Sequence, residues 1–302
     1  MVASLIECVP NFSEGRRAQV VDEIVAAMAG VTGVSVLDRT SDASHNRSVV
    51  TMVGAGEPLV EAAVRGAAVA ARRIDLREHG GEHPRMGATD VIPFVPVSGA
   101  TMADCIALAR TCGRRLGDEL AIPVFLYEAA ATRPERKNLA HVREGQFEGL
   151  RERIGKDPAR DPDFGPHAIH PTAGCTAVGA RKFLIAYNVN LASGDVKLAK
   201  SIAKTIREKD GGFPCVKAMG FHLADRDLAQ VSINMVDYET TSLLTVFEAI
   251  ERLARQAGVE PLESELIGLA PAAALPEAVA RRVKLRDFDP QQQIVERRAG
   301  IA

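Results

Sequence analysis

Hydrophobic and polar positions alternate along this chain with two periods, one typical of strands and one of helices. Short apolar or β-branched runs indicate strands at 5–9, 34–37, 48–53 and 91–97. Apolar residues three or four positions apart indicate helices at 16–31 and 58–74. The resulting order is βαββαβ, the split motif of ferredoxin-like folds. Pro93 and Pro96 predict that the fourth strand lies at an edge or has an irregular ladder.

The second half of the chain repeats this order. Strands are predicted at 183–191, 215–223, 229–236 and 266–269, and helices at 193–210 and 243–258. Between the halves we predict a helix with a Thr101–Asp104 capping box, a strand at 122–127, and mostly loop over 129–171 with a short helix at 145–154. The fold class is therefore α+β, with two tandem ferredoxin-like (βαββαβ) subdomains at 1–180 and 181–302. Element order alone supports the duplication, because no residue-level repeat is visible.

Composition narrows the class of protein. The formal net charge of −2 gives no bulk electrostatic reason to expect nucleic acid or an anionic membrane as partner. The first residues lack a basic region followed by a long apolar run, so no signal peptide is predicted. The five cysteines contain no CxxC pair, which indicates free thiols in a reducing compartment. We therefore expect a cytoplasmic protein.

The most unusual segment is 77–90, which reads REHGGEHPRMGATD. It is predicted to be a loop between a helix and a strand, a position that often holds catalytic groups. His79, Glu82 and His83 match the H-x-x-E-H pattern of a zinc peptidase class, which requires a helix. Two glycines and Pro84 disfavour that helix, so we expect no metal. His79 is interpreted as a solvated surface residue, and His83, held in a tight turn, as functional.

Three other polar segments are candidates for a binding site. In 11–15, Ser13 is predicted to cap the first helix, while Asn11 is free to face a ligand. In 38–47, the acidic residues and Arg47 are able to orient an imidazole or hold a carboxylate. Residues 163–176 read most simply as an interdomain linker, although their glycines would also allow close approach to a flat ring.

Several blocks of the sequence resemble one enzyme family. They are ECVPNFSEG at 7–15, GEHPRMGA at 81–88, DFGP at 163–166, GARKFL at 179–184 and AQVS at 229–232. They resemble glutamate formimidoyltransferase, the formiminotransferase part of the formiminotransferase-cyclodeaminase family, and the resemblance runs from about residue 5 to 275. The chain ends without room for a cyclodeaminase domain, so the resemblance is to the stand-alone form.

The resemblance implies two ferredoxin-like subdomains with a folate-binding cleft between them, and it implies that His83 is catalytic. Tetrahydrofolate is the implied co-substrate, and we expect a homodimer. The family has an acidic residue where Thr40 stands, so Asp38 or Asp42 is expected to supply that carboxylate. His167 and His170 depart from the family pattern. The residues implied to contact folate are Gly165, Pro166, His167, Ala168, Ile169, His170, Pro171, Thr172, Ala173 and Gly174.

The implied reaction moves the formimino group of N-formimino-L-glutamate to N5 of tetrahydrofolate, giving 5-formiminotetrahydrofolate and L-glutamate, in histidine degradation and one-carbon metabolism. One imidazole with a pKa near ~6.5 is able to take a proton from the attacking nitrogen and return one to the leaving nitrogen. Arg47 and Arg85 are candidates to hold the glutamate carboxylates. The alternatives are formyl transfer between 5-formyltetrahydrofolate and glutamate, a metal hydrolase, and a non-catalytic folate- or amino-acid-binding module.

Overall fold

The computed structural model describes residues 4–300. The chain divides into two compact units, the first ending at Arg181 and the second beginning at Lys182. None of the helices described is both long and apolar enough to cross a membrane.

The first unit is a mixed sheet with helices. Its strands are β1 (Leu5–Cys8), β2 (Asn11–Phe12), β3 (Val34–Asp42), β4 (Arg47–Gly54), β5 (Thr89–Ser98), β6 (Val124–Glu128) and β7 (Thr176–Ala180). Its helices are α1 (Ala18–Ala29), α2 (Glu57–Arg73), α3 (Met102–Leu120), α4 (Leu139–Val142) and α5 (Gln146–Arg153), with 3₁₀ turns at Pro134–Lys137 and Pro158–Arg160.

The sheet of this unit runs in the order β3, β4, β1 with β2, β5, β7 and β6. Neighbours are antiparallel as far as β5, whereas β5–β7 and β7–β6 are parallel. The predicted βαββαβ order is confirmed. Strand β5 is interior, and its ladder with β1 shifts register opposite Pro96, so the irregular-ladder prediction holds and the edge prediction is wrong. Strand β7 was not predicted, because TAVGA is short and three of its five residues are Ala or Gly, which are depleted in strands.

The second unit is an antiparallel sheet with helices. Its elements are β8 (Ile185–Leu191), α6 (Val196–Ile206), β9 (Val216–Leu223), β10 (Leu228–Met235), α7 (Leu243–Gln256), β11 (Pro261–Ile267), α8 (Glu277–Arg282), α9 (Pro290–Gln293) and α10 (Val295–Arg298), with a 3₁₀ turn at Glu208–Asp210. Strand order is β11, β8, β10, β9. This is the order that β5, β1 with β2, β4 and β3 have in the first unit. The α+β class with two tandem ferredoxin-like units is therefore confirmed.

Helix starts follow local side-chain chemistry. The capping box of α3 is present, with Asp104 N donating to Thr101 Oγ1 and Thr101 N donating to Asp104 Oδ2. The prediction that Ser13 caps α1 is wrong, because its hydroxyl donates to the Gly87 carbonyl at 2.7 Å. The buried Glu14 carboxylate instead accepts the backbone N–H groups of Arg16 and Arg17, just before α1 begins.

The core of the first unit has two parts. The larger packs α1, α2 and α3 on the sheet through aliphatic side chains, including Ile24, Val60 and Leu116. A smaller cluster contains Met86 together with residues from β6, α5 and β7. Because Met86 is fully buried in this cluster, it anchors the loop that carries His83.

Candidate functional site

The loop between α2 and β5, residues 74–88, is fastened on its C-terminal side by backbone hydrogen bonds. Ala88 N donates to Ala173 O at 2.8 Å, and Cys175 N donates to Met86 O at 2.9 Å. On the N-terminal side, Leu76 N donates to Thr172 O at 2.9 Å. The loop therefore has both ends attached to one segment, 172–175.

A second attachment comes from Asn46, in the turn between β3 and β4. Its Oδ1 accepts from Gly15 N at 2.9 Å, and its Nδ2 donates to Gly80 O at 3.1 Å. Gly81 comes so close to this turn that a Cβ placed on it would lie 2.4 Å from the His45 carbonyl oxygen. Glycine is therefore required at this position for the loop to reach the turn, and the contact brings His83 beside His45.

His79 has a structural role, and the prediction that it is solvated is wrong. Its Nε2 lies 3.0 Å from Asn46 O, and its Nδ1 accepts from Arg85 Nε at 3.3 Å, so both ring nitrogens are occupied. Residues 79–83 are not helical. Within residues 4–300, no cluster of three His, Cys, Asp or Glu side chains has metal-site geometry. The H-x-x-E-H spacing thus does not fold into the site that this pattern describes.

His83 is half-buried among charged groups. Its ring centroid lies 6.5 Å from that of His45 in an edge-to-face arrangement. Burial lowers the pKa of His83 to about 4, and the positive charges of Arg47 and Arg143 act in the same direction, while Asp90 opposes them. The imidazole is therefore neutral at physiological pH, which is the form that accepts a proton.

Arg47 is a half-buried cation that forms no ion pair with a carboxylate of the described residues. Its Nη2 donates to Asn11 Oδ1, and its Nε is buried with no hydrogen-bond partner. No carboxylate among residues 4–300 lies within 4.0 Å of its guanidinium nitrogens. Burial lowers the pKa of Arg47. An unpaired buried charge is costly, so this position is suited to an anionic ligand.

Arg85, the other predicted carboxylate-binding arginine, is already paired. Its Nη1 and Nη2 donate to the Glu148 carboxylate at 2.9 and 2.7 Å, and Nη2 also reaches the His79 carbonyl at 3.3 Å. Its side chain thereby ties the loop to α5. The structure brings Arg47, and not Arg85, to His83 with its charge uncompensated.

Neither of the two carboxylates predicted to orient His83 is among the charges that act most strongly on it. Asp42 is exposed and accepts from His45 N at 2.7 Å, with His45 Nδ1 3.1 Å away. Asp38 is on β3, opposite Thr51 of β4. The carboxylate with the strongest effect on His83 is Asp90, which the sequence analysis did not single out, and the same holds for Arg143. The sequence feature that could have indicated Asp90 is an acidic residue at the start of a β-branched run predicted to be a strand.

The segment 165–174, predicted to contact folate, is part of the first unit and not a free linker. Gly174, with φ of +72°, packs so closely on the loop that a Cβ would lie 2.2 Å from Met86 O. His170 Nδ1 accepts from Ala173 N at 3.0 Å, and His167 lies 3.3 Å from Asp161. The exposed positions of the segment are Pro166, His167, Ala168 and Pro171, whereas Ala173 and Gly174 are buried. The C-terminal end of the segment is therefore fixed to the loop that carries His83.

Comparison with known proteins shows the family of this chain. The profile described as "Formiminotransferase domain, N-terminal subdomain" matches residues 5–181, and the profile described as "Formiminotransferase domain" matches residues 186–294. This chain belongs to the formiminotransferase family. The predicted family resemblance is thus confirmed.

Curated members of the family are similar along nearly the whole chain. The glutamate formimidoyltransferase of Streptococcus pyogenes is 50% identical, with 98% of each chain covered. That of Thermoplasma acidophilum is 46% identical, with 98% of this chain and 97% of the relative covered. The formimidoyltransferase-cyclodeaminase of Rattus norvegicus is 41% identical over 98% of this chain but only 60% of its own length.

Proposed function

We propose that this protein transfers the formimino group of N-formimino-L-glutamate to N5 of tetrahydrofolate, with His83 as the proton-transfer residue. The two curated glutamate formimidoyltransferases, 50% and 46% identical to this chain, support the reaction. The observation that carries the site is a neutral, half-buried imidazole beside an arginine that lacks an anion.

His83 acts first as a base and then as an acid. The N5 amine attacks the amidine carbon, and a tetrahedral intermediate forms between the two substrates. The attacking nitrogen loses its proton to the imidazole, which then protonates the departing glutamate nitrogen. A low pKa in the free enzyme keeps the ring neutral until the substrates bind.

Substrate charge makes the proton transfer stronger. Burial is the largest cause of the low pKa of His83, and the charge of Arg47 adds to it. N-formimino-L-glutamate carries two carboxylates, and one of them beside Arg47 would compensate that added charge. The pKa of the ring would then rise towards the operating pH, where an acid–base catalyst is most effective. Arg47 is therefore the arginine that we assign to the donor, in preference to Arg85.

The folate is assigned to the segment 165–174, as the family resemblance implies. Its attachment to both ends of the His83 loop would hold the pterin close to the imidazole. Exposed positions in this segment supply the surface for a flat ring. We also propose that the formiminotransferase subdomains are 1–180 and 181–302. The protein is further proposed to be a cytoplasmic homodimer that acts in histidine degradation.

The test is a paired assay with purified protein. One arm contains tetrahydrofolate and N-formimino-L-glutamate, and the other contains 5-formyltetrahydrofolate and L-glutamate, each followed by chromatography of the folate product. Faster turnover in the first arm is expected. Turnover in the second arm alone would replace formimino by formyl transfer at the same site, and turnover in neither would contradict the proposal.

A further inference from the structure

Two buried arginines near His83 each have a polar atom without a hydrogen-bond partner. Among residues 4–300, the buried side-chain polar atoms without a hydrogen-bond partner are Arg47 Nε, Thr89 Oγ1 and Arg143 Nε. Both arginines are close enough to lower the pKa of His83, so two of these three atoms belong to its surroundings. Buried polar groups are normally paired, so unpaired donors at a candidate active site are suited to bind a ligand.

Arg143 is held in place by Asp90. Its Nη2 donates to Asp90 Oδ2 at 2.5 Å, and the other carboxylate oxygen accepts from Met86 N at 2.8 Å. Asp90 is buried, and the Arg143 side chain is only 15% exposed. The carboxylate therefore fixes the guanidinium against the base of the His83 loop.

The net charge of this cluster is suited to one bound anion. Asp90 is paired with Arg143, and Arg143 and Asp90 both act electrostatically on Arg47. Two arginines and one aspartate, next to a neutral imidazole, carry one net positive charge. A single carboxylate would neutralise it and would accept the hydrogen bonds that two guanidinium groups can offer.

The covalent structure of the donor says which carboxylate fits. The formimino nitrogen is bonded to Cα, and the α-carboxylate is bonded to the same carbon, whereas the γ-carboxylate lies at the end of the side chain. A reacting amidine carbon next to His83 therefore brings the α-carboxylate to the arginines beside it. The γ-carboxylate must be bound elsewhere.

We propose that Arg143 and Arg47 together bind the α-carboxylate of the glutamate substrate, and that Asp90 is the positioning residue for Arg143. This inference rests on the proposed function for the identity of the ligand. It assigns to the reaction two residues that lie far apart in the chain.

Direct binding of L-glutamate, the product, tests the proposal without turnover. Calorimetry of Arg143→Met is expected to show a Kd for L-glutamate raised about 10- to 100-fold, the usual range for a lost charge-assisted hydrogen bond. The matched control is Arg115→Met, because Arg115 is ion-paired with Glu61 and Glu119 on the surface of α2 and α3. That variant is expected to bind glutamate as the wild type does.

Two amides of glutamate decide which carboxylate is bound. L-Glutamine keeps the α-carboxylate and isoglutamine replaces it with a carboxamide, so Arg143→Met should weaken L-glutamine binding and leave isoglutamine binding nearly unchanged. The reverse result would assign the arginines to the γ-carboxylate and overturn the proposal. Unchanged affinity for all three ligands would overturn it as well.

The role of Asp90 has a spectroscopic readout. In an NMR titration of the His83 ring, Arg143→Met should raise the pKa from about 4, because it removes a positive charge, whereas Asp90→Asn should lower it. General loosening of the loop would move both variants in the same direction, towards the pKa of a solvated imidazole, and would contradict the positioning role. If Arg143→Met does not fold, Arg143→Gln removes the same positive charge and provides both the pKa comparison and the binding comparison.

The transfer assay separates this inference from the proposed function. If the wild type transfers formimino groups and Arg143→Met binds glutamate normally, only the carboxylate assignment is wrong. If the wild type has no transfer activity but Arg143→Met still binds glutamate more weakly, the proposed reaction is wrong and the binding site is supported.

Discussion

The two units of this protein share one strand order but differ in the connections between strands. In the first unit the connection from α2 to β5 spans 74–88, and in the second the equivalent connection from α7 to β11 spans only 257–260. The long connection carries His83. The short one contains Ala257, Gly258, Val259 and Glu260, of which only the last is titratable.

The turns that precede these connections differ in the same way. Asn46 ends the β3–β4 turn and Asp227 lies at the end of the β9–β10 turn, and each has φ of 50°. Asn46 is buried and ties the catalytic loop to the turn, whereas Asp227 is exposed and pairs with His222 at 3.0 Å. The strand order that the two units share does not create the candidate site. The longer connections of the first unit supply its residues.

Removal of the imidazole should give the largest difference between the units. His83→Ala is expected to lower kcat by about 10²–10⁴-fold, the usual scale for a positioned acid–base, with folate binding retained. The control is His222→Ala in the second unit, which should leave kcat unchanged. Near-normal turnover of His83→Ala, measured under saturating substrates, would remove His83 from the mechanism.

The next largest effect should come from adjacent glycines in the same loop. Gly81→Ala places a methyl group 2.4 Å from the His45 carbonyl oxygen, so the loop must move, and a displacement of the catalytic group by about 1 Å can lower kcat about 10²-fold. Gly80→Ala meets no atom within 4 Å and is the matched control. Equal kcat values for the two variants would show that the contact between loop and turn does not position His83.

Loss of the Asn46 side chain should have a smaller effect. Asn46→Gly tolerates the positive φ but leaves Gly15 N and Gly80 O without their partner. We expect a loss of about 1–3 kcal/mol in unfolding free energy and a fall in kcat of about 10-fold. Asp227→Gly, the equivalent change in the second unit, should cost little by either measure. Urea unfolding and steady-state kinetics measure the two effects. A larger loss in Asp227→Gly than in Asn46→Gly would contradict the difference between the two turns.

The smallest effect concerns pH. The folded-state pKa of His83, about 4, lies below the 6.5 of an unfolded histidine, so the folded state binds this proton less readily. Its contribution to stability is complete above pH 6.5 and is lost as the pH falls towards 4. In urea unfolding at a series of pH values, His83→Gln should lose less stability over this window than the wild type. A steeper loss in the variant would contradict the depressed pKa.

Local sequence patterns predicted much of the fold and part of the site. The βαββαβ order followed from periodicity, because strand and helix periods are properties of short segments. The non-helical state of residues 79–83 followed from two glycines and Pro84, which act on their own backbone. The pattern missed β7, whose small residues form a strand because β5 and β6 pair with it on both sides.

The pairing of charged side chains could not be predicted from short segments of the sequence. Arg47 and Arg85 look alike in the sequence, yet Glu148 of α5 neutralises Arg85 and no described carboxylate reaches Arg47. Likewise Arg143 joins Asp90 across 53 positions of the chain. The sequence by itself determined which segments are strands, helices and tight loops, since those depend on neighbouring residues. Only the tertiary structure decided which charges meet, because that depends on residues the chain brings together from a distance.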